Sequence, residues 1–268
     1  TVTTICAGAF SRCKRLTSIT LTDSIEEIGD EAFHFCKKLK KIGIPNSVVI
    51  IGKRAFCYCP KLTSLTIPDS VKEIGEEAFY GCETLTSIKI PGSIEILGAN
   101  PFYLCHRLSD IQILGEGENF RMVDDVLLDQ AMTRLIWYSK KKEGSYEIPP
   151  TVKTIDLDAF YSRKKLTAIT LPESVSVIHK FAFAYCSALS SVAIPDSVLS
   201  IGKNAFYCCG ALSSINIPGS VVTIGEYAFY DCTGLKSIKI PKSVKSIGYY
   251  ALHCPSTKSL IERSTPNT

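Results

Sequence analysis

The chain has 268 residues, 46% of them apolar and 21% charged, with a formal net charge of +4, which is the balance of an ordinary folded domain. No apolar run approaches the ~20 residues that span a bilayer, and the longest are short stretches such as Val48 to Ile51. The 30 basic residues are spread too evenly for the electrostatic footprint of a nucleic-acid binder, so neither nucleic acid nor membrane insertion is expected.

From the N-terminus, Phe10, Phe33, Phe56, Phe79 and Phe102 recur at steps of 23 residues, and the step resumes at Phe160, Phe183, Phe206 and Phe229. A fixed period of this size marks a repeat architecture. Ala32, Ala55, Ala78, Ala182, Ala205 and Ala228 precede the phenylalanines, and Cys36, Cys59, Cys82, Cys105, Cys186, Cys209 and Cys232 follow them three places on. The units fall at 1–22, 23–45, 46–68, 69–91 and 92–114, then at 150–172, 173–195, 196–218, 219–241 and 242–264. Thr1 lies inside a unit, so a removed leader or an upstream region is expected before it.

Within a unit, Leu85 to Ile90 has apolar residues at its first, fourth and sixth places, with Ile88 and Ile90 alternating as in a strand. Proline follows at Pro45, Pro68, Pro91, Pro172, Pro195, Pro218 and Pro241 and ends the ladder, because it has no N–H to donate. Val71 and Ile74 are inward anchors, and Gly75 suits a corner with positive φ. The stretch Glu76 to Cys82 is rich in helix formers but only about two turns long, which predicts a short helical or 3₁₀ turn.

Residues 115–149 interrupt the period. Val123 to Gln130 and Leu135 to Tyr138 read as two short apolar runs joined by a polar link from Asp129 to Arg134, which predicts a hairpin. The last unit is degenerate: Leu252 stands at the Phe position and Ser-Leu-Ile-Glu-Arg-Ser replaces the usual strand, as suits a terminal repeat facing water. A frayed tail at 265–268 is expected.

The pattern I-P-x-S-V-x-x-I-G-x-x-A-F-x-x-C-x-x-L-x-S-I-x-I resembles the BspA-like subfamily of leucine-rich repeats over most of the chain. The strand-rich interruption is similar to the insert that many members carry. The resemblance implies one solenoid over 1–264. Its fold would be an α/β repeat solenoid, a curved right-handed superhelix with a parallel sheet on the concave face and short helical or 3₁₀ turns elsewhere. It also implies an extracellular or cell-surface, adhesin-like protein that binds host matrix or surface proteins. Because fold does not fix function, a passive spacer and a carbohydrate or metal-dependent activity in the insert stand as alternatives. A monomer is expected.

No catalytic constellation stands out. His34, His106, His179 and His253 are scattered, and no metalloprotease helix, nucleophile elbow or phosphate loop occurs. The pairs Glu26/Glu27, Glu76/Glu77 and Asp124/Asp125 suggest acid–base chemistry, but the first two recur on the solvent side of their units and read as a solvated face. The in-phase cysteines point one way into the core, a poor geometry for disulfides or for converging zinc ligands, and are expected to be free. Cys6, Cys57, Cys208 and Cys254 lie off phase, leaving Cys57/Cys59 and Cys208/Cys209 as the redox or metal candidates. The expectation is a non-enzymatic chain with no cofactor.

The candidate interaction surface is the outward strand face: Lys41, Ser64, Thr66, Ser87, Lys89, Asp110 and Gln112 in the first block, with Ser214, Asn216 and Lys239 in the second. These positions are small and polar and lack the Trp, Tyr and Arg clusters that mark binding hot spots. Trp137 and Tyr138 of the insert, beside Lys140, Lys141 and Lys142, form the alternative patch, although aromatics of this kind are more often core.

Overall fold

The structure, a computed structural model, describes residues 1–254 and the backbone of the strand Ile261–Arg263. The tail expected at 265–268 lies outside the described residues. The chain forms two compact units, Thr1–Gln130 and Ala131–Thr268, and each is a parallel β-solenoid.

In the first unit, Ser64–Thr66, Ser87–Pro91 and Asp110–Leu114 pair in parallel. Their register is one repeat, with Leu65 beside Ile88 and Ile88 beside Ile111. Ser18–Thr20 and Lys41–Gly43 form a similar pair. Alternation sets the faces: Leu65 and Ile88 are buried, while Ser64, Thr66 and Lys89 point outward.

A second sheet was not legible in the sequence. Thr4–Ile5, Glu27–Ile28, Ile50–Ile51, Glu73–Ile74 and Ile96–Leu97 make five parallel strands in chain order. Each holds two residues, too few to display a period.

The expected α/β class and helical turns are corrected: no helix occurs among the described residues. The Glu-Glu-Ala-Phe-Tyr-Gly-Cys stretch instead places two residues per turn in the left-handed region, two before and two after each Phe. In the first unit these are Glu31 and Phe35, Arg54 and Tyr58, Glu77 and Gly81, and Asn100 and Leu104, with φ between 51° and 70°. Left-handed backbone breaks a right-handed helix. It also redirects alternate N–H groups toward the next turn. Glu31, Phe33 and Phe35 donate to the carbonyls of Lys53, Ala55 and Cys57, each at 2.8 Å, while Ala32, His34 and Cys36 bond back within their own turn. Propensity lost to inter-turn hydrogen bonding.

The glycine of each Ile-Gly pair also serves another purpose than expected, since Gly29, Gly52, Gly75 and Gly202 do not have positive φ. A Cβ there would lie 2.5–2.7 Å from backbone atoms of the preceding turn. The requirement is close approach of two backbones.

The core is a stack of identical side chains. Phe10, Phe33, Phe56, Phe79 and Phe102 lie 5.2–6.0 Å apart, ring over ring, and Phe160, Phe183, Phe206 and Phe229 lie 5.1–5.3 Å apart. Beside them each ladder cysteine donates its Sγ–H to a Phe carbonyl 26 residues earlier, as Cys59 does to Phe33 at 3.2 Å and Cys209 to Phe183 at 3.2 Å. Hydroxyls of Ser47, Ser197 and Ser220 donate to the carbonyls of Ile25, Val175 and Val198 at 2.6–2.8 Å.

Part of the 115–149 segment follows the same plan. In the first unit Phe120–Val123 pairs antiparallel with Val126–Asp129. Asp124 and Asp125, both at positive φ, form a two-residue turn of the type whose twist suits a hairpin. In the second unit Leu135 pairs with Ile155, Tyr138 lies 4.8 Å from Phe160 in the aromatic stack, and Gly144–Glu147 pairs in parallel with Leu166–Thr170. Residues 134–147 therefore carry the strands and core ring of a shortened turn.

The rest of the second unit repeats the plan of the first. Val177–Ile178, Ser200–Ile201, Thr223–Ile224 and Ser246–Ile247 form a four-stranded parallel sheet. The terminal unit departs from expectation, because Ile261–Arg263 keeps the one-repeat register against Ile238–Ile240.

Candidate interaction surface

The structure assembles most of the expected strand face. Ser64, Ser87 and Asp110 form one row and Thr66, Lys89 and Gln112 the next, with Lys41 exposed on the strand Lys41–Gly43. In the second unit Asn216 bridges to Lys239, and both are exposed together with Ser214. Gln112 donates to Asp110 at 2.8 Å. Apart from the scattered lysines and the Asp110 carboxylate, this face offers short hydroxyl and amide groups.

The alternative patch is corrected. Trp137 is 5% exposed and Tyr138 0%, so neither presents a surface: Tyr138 fills a core ring position, and Trp137 lies against the buried Arg163 guanidinium at 5.7 Å. Phe120 is buried too. The Lys142 ammonium sits 5.5 Å from the Tyr146 ring.

A further aromatic row escaped the sequence reading. In the first unit Phe35, Tyr58, Tyr80 and Tyr103 are half-buried and stack outside the Phe core, with centroids 4.5, 4.7 and 4.8 Å apart. The Tyr58 hydroxyl donates to that of Tyr80 at 2.7 Å. In the second unit Tyr161, Tyr185, Tyr207 and Tyr230 form a row of their own at 5.2–5.3 Å spacing, followed by His253 and flanked by Tyr227, Tyr249 and Tyr250. Tyr185, Tyr249 and Tyr250 are 39%, 65% and 42% exposed.

The reason for the omission is local. Tyr80 and Tyr103 follow their Phe by one residue, whereas Phe35, Tyr58 and Tyr185 follow by two. A strict period of 23 does not align them, but a tolerance of one residue does. Phe35, Tyr58 and Tyr185 occupy the left-handed corner itself, while Tyr80 and Tyr103 immediately precede it, and both kinds of ring reach the same row. Gly81 shows the fit, because a Cβ there would meet the Tyr58 ring at 2.8 Å.

The row is stiff. Each ring is packed by its neighbours, so little side-chain freedom remains to be lost on binding, which favours tyrosine in recognition surfaces. Burial pushes the Tyr80 phenol above its usual range, as does its bond to Tyr58.

The reactive-group candidates give no catalytic assembly. Cys57 and Cys59 are buried, and burial raises the Cys57 thiol to about 12, the opposite of an activated nucleophile. The Cys208 thiol, half-buried, is raised to about 11. Cys254, off phase by count, joins the ladder by donating to the Phe229 carbonyl at 2.9 Å. All twelve cysteines are free, and among the described residues no group of His, Cys, Asp and Glu could hold a metal ion. Glu76 and Glu77 are bound to Lys53 and Arg54 of the preceding turn, at 2.6 and 2.7 Å. Among the described residues no helix is long and apolar enough to cross a membrane.

Comparison with known proteins agrees with this architecture. Residues 3–122 and 138–266 match, in six copies, a family model described as a BspA type leucine rich repeat region. The chain is similar to a leucine rich cell surface protein of Faecalibacterium prausnitzii, at 30% identity and TM-score 0.75 over 99% of this chain and 84% of the other. It is also similar to the pneumococcal vaccine antigen PcpA, at 28% identity and TM-score 0.78 over 99% and 75% of the two chains. A leucine-rich repeat protein of Eubacterium ventriosum shares the fold at 23% identity and TM-score 0.62, over 96% and 86% of the two chains. No match is found among curated proteins.

Proposed function

The chain belongs to the BspA-type leucine-rich repeat family, and from that premise we propose that it is a non-enzymatic, protein-binding scaffold of a cell surface. Its adhesive contact is made by the aromatic row rather than by the flat strand face. One observation carries the reading: the strand face carries short polar groups and a few charges but no aromatic, while the tyrosines, the residue type favoured at binding hot spots, lie in a stiff and partly exposed row. The similarity to a cell surface protein and to a vaccine antigen supports a surface location.

A panel of glycan-free recombinant matrix and plasma proteins, passed over the immobilised chain, tests binding as such. Saturable capture of at least one is the expected result. Absence of saturable capture across the panel would leave a passive spacer as the better description.

A further inference from the structure

The basic residues look dispersed along the sequence, but the 23-residue period collects part of them. Residues 1–22 contain Arg12, Lys14 and Arg15 and no acid. Residues 32–68 also contain no Asp or Glu, and they carry Lys37, Lys38, Lys40, Lys41, Lys53, Arg54 and Lys61. Lys53 and Arg54 are tied to Glu76 and Glu77 at the opposite end of the Phe corner. Arg12 stands just before Cys13, and the remaining seven share one phase, between the Cys position and the strand. Arg15, Lys38 and Lys61 stand one repeat apart, which is one strand spacing of about 4.8 Å in a parallel stack. Lys14 and Lys37 form the adjacent column, with Lys40 and Lys41 at the strand entrance.

All seven are exposed, and none of them forms an ion pair among the described residues. The Lys14 column ends at Pro60 and the Arg15 column at Thr84, with Glu83 beside it, and Arg107 stands alone in the fifth turn. In the second unit the same phase holds Lys164 and Lys165, of which Lys165 is paired with Glu143, and then Ser187, Gly210 and Thr233. The patch therefore belongs to the first three turns and is not a property of the repeat.

We propose that this column binds a linear polyanion, and specifically a sulfated glycan chain lying along the stack. Unpaired cations at regular spacing attract a chain of fixed anions through release of its condensed counterions. A glycan fits better than a single-stranded nucleic acid, which needs open rings on which bases can stack. Phe35, the ring beside Lys37, is half-buried between His34 and Tyr58, and the Lys37 ammonium lies over it at 5.9 Å, where a base would have to stack. The choice of a glycan among polyanions rests on the surface location proposed above; the cation column itself does not.

The test compares two charge-reversed forms of the whole chain. Arg15→Glu/Lys38→Glu/Lys61→Glu alters the column, and Lys236→Glu/Lys242→Glu/Lys245→Glu makes the same charge change at exposed sites of the second unit. Binding to heparin is measured over a range of salt, beside fully desulfated heparin and a single-stranded oligonucleotide of equal charge. The column variant is expected to bind heparin at least tenfold more weakly, with the log K against log salt slope reduced by about two. The second-unit variant should stay within about twofold of the parent. Arg15→Gln/Lys38→Gln/Lys61→Gln should give an intermediate loss, and thermal melts verify that each form is folded.

Equal losses in both reversed forms would overturn the proposal, as would no binding by the parent, undiminished binding to desulfated heparin, or tighter binding to the oligonucleotide. Capture of glycan-free proteins tests the protein-binding reading separately, and the column substitutions should leave it unchanged.

Discussion

Arg163 donates from Nε to the carbonyl oxygen of Tyr138 at 2.5 Å, taking the place of the thiol-to-carbonyl bond that Cys186 makes to Phe160 one turn later. Its other nitrogens donate to the carbonyls of Tyr161 at 2.6 Å and Ala159 at 3.2 Å. Burial pulls its pKa down to about 10, so it is still a cation at neutral pH. Arg163→Ala would leave three carbonyls without this donor and is expected to cost about 2–4 kcal/mol, because a buried acceptor left unsatisfied costs about 1–3 kcal/mol. Arg163→Cys restores a ladder donor and should recover at least about 1 kcal/mol of that, in line with the net value of one hydrogen bond. Urea unfolding of the two variants measures the difference.

The ladder thiols make stability fall in alkali. Burial raises Cys36 to about 11 and Cys186 to about 12, from an ordinary value of 9.0. The unfolded chain loses these protons first. The contribution is therefore fully present below about pH 9 and is lost as the pH rises through 11 to 12. The urea midpoint should drop between pH 8 and pH 11, and more shallowly in Cys186→Ala. At pH 8 a thiol reagent should label the exposed Cys6 quickly and the ladder cysteines only on unfolding. Rapid labelling of Cys82 or Cys209 in the native protein would contradict their burial.

Phe79, 0% exposed, stacks between Phe56 at 5.7 Å and Phe102 at 6.0 Å. Phe79→Ala is expected to cost about 3–5 kcal/mol, as for other buried phenylalanine truncations. A loss below about 1 kcal/mol would mean that the ring stack is not core.

Two glycine substitutions separate left-handed corners from helical turns. Cys208, at φ 57°, stands where Gly81 stands in the first unit. Cys208→Gly should be neutral or stabilising by up to about 1 kcal/mol, because glycine adopts this conformation freely. In a helix the same change costs about 1 kcal/mol. Conversely, Gly75→Ala should destabilise by about 1–3 kcal/mol, through a Cβ placed 2.5 Å from the Lys53 nitrogen. Thermal melts of the two variants, with the far-ultraviolet dichroism of the parent, decide between the two geometries.

The sequence made some of this plain and hid the rest, for physical reasons. The period named the Phe and Cys ladders, because identical side chains one turn apart must share an environment. Composition misled at Glu76 to Cys82, where helix formers occupy a segment whose N–H groups are drawn to the next turn. Gly75 was recognised as special but for the wrong cause, since a close approach between turns leaves no mark in one sequence. Arg163 at a cysteine phase and Tyr138 at 22 residues from Phe160 concealed the shortened turn. The outward positions of the strands were legible from their alternation, whereas the tyrosine row drifted by one residue between turns and was lost to a strict count.

The contribution of that row is tested most directly by comparing two altered surfaces against one captured matrix protein. Tyr58→Ser/Tyr103→Ser/Tyr185→Ser/Tyr207→Ser removes rings from the row in both units. Ser64→Ala/Thr66→Ala/Ser87→Ala/Asn216→Ala alters the strand face. Loss of a few hot-spot tyrosines is expected to weaken capture by about 2 kcal/mol or more, roughly thirtyfold in Kd, while the strand-face form stays within about threefold of the parent. The opposite ranking, with the tyrosine variant folded and fully active in capture, would contradict the assignment of binding to the aromatic row.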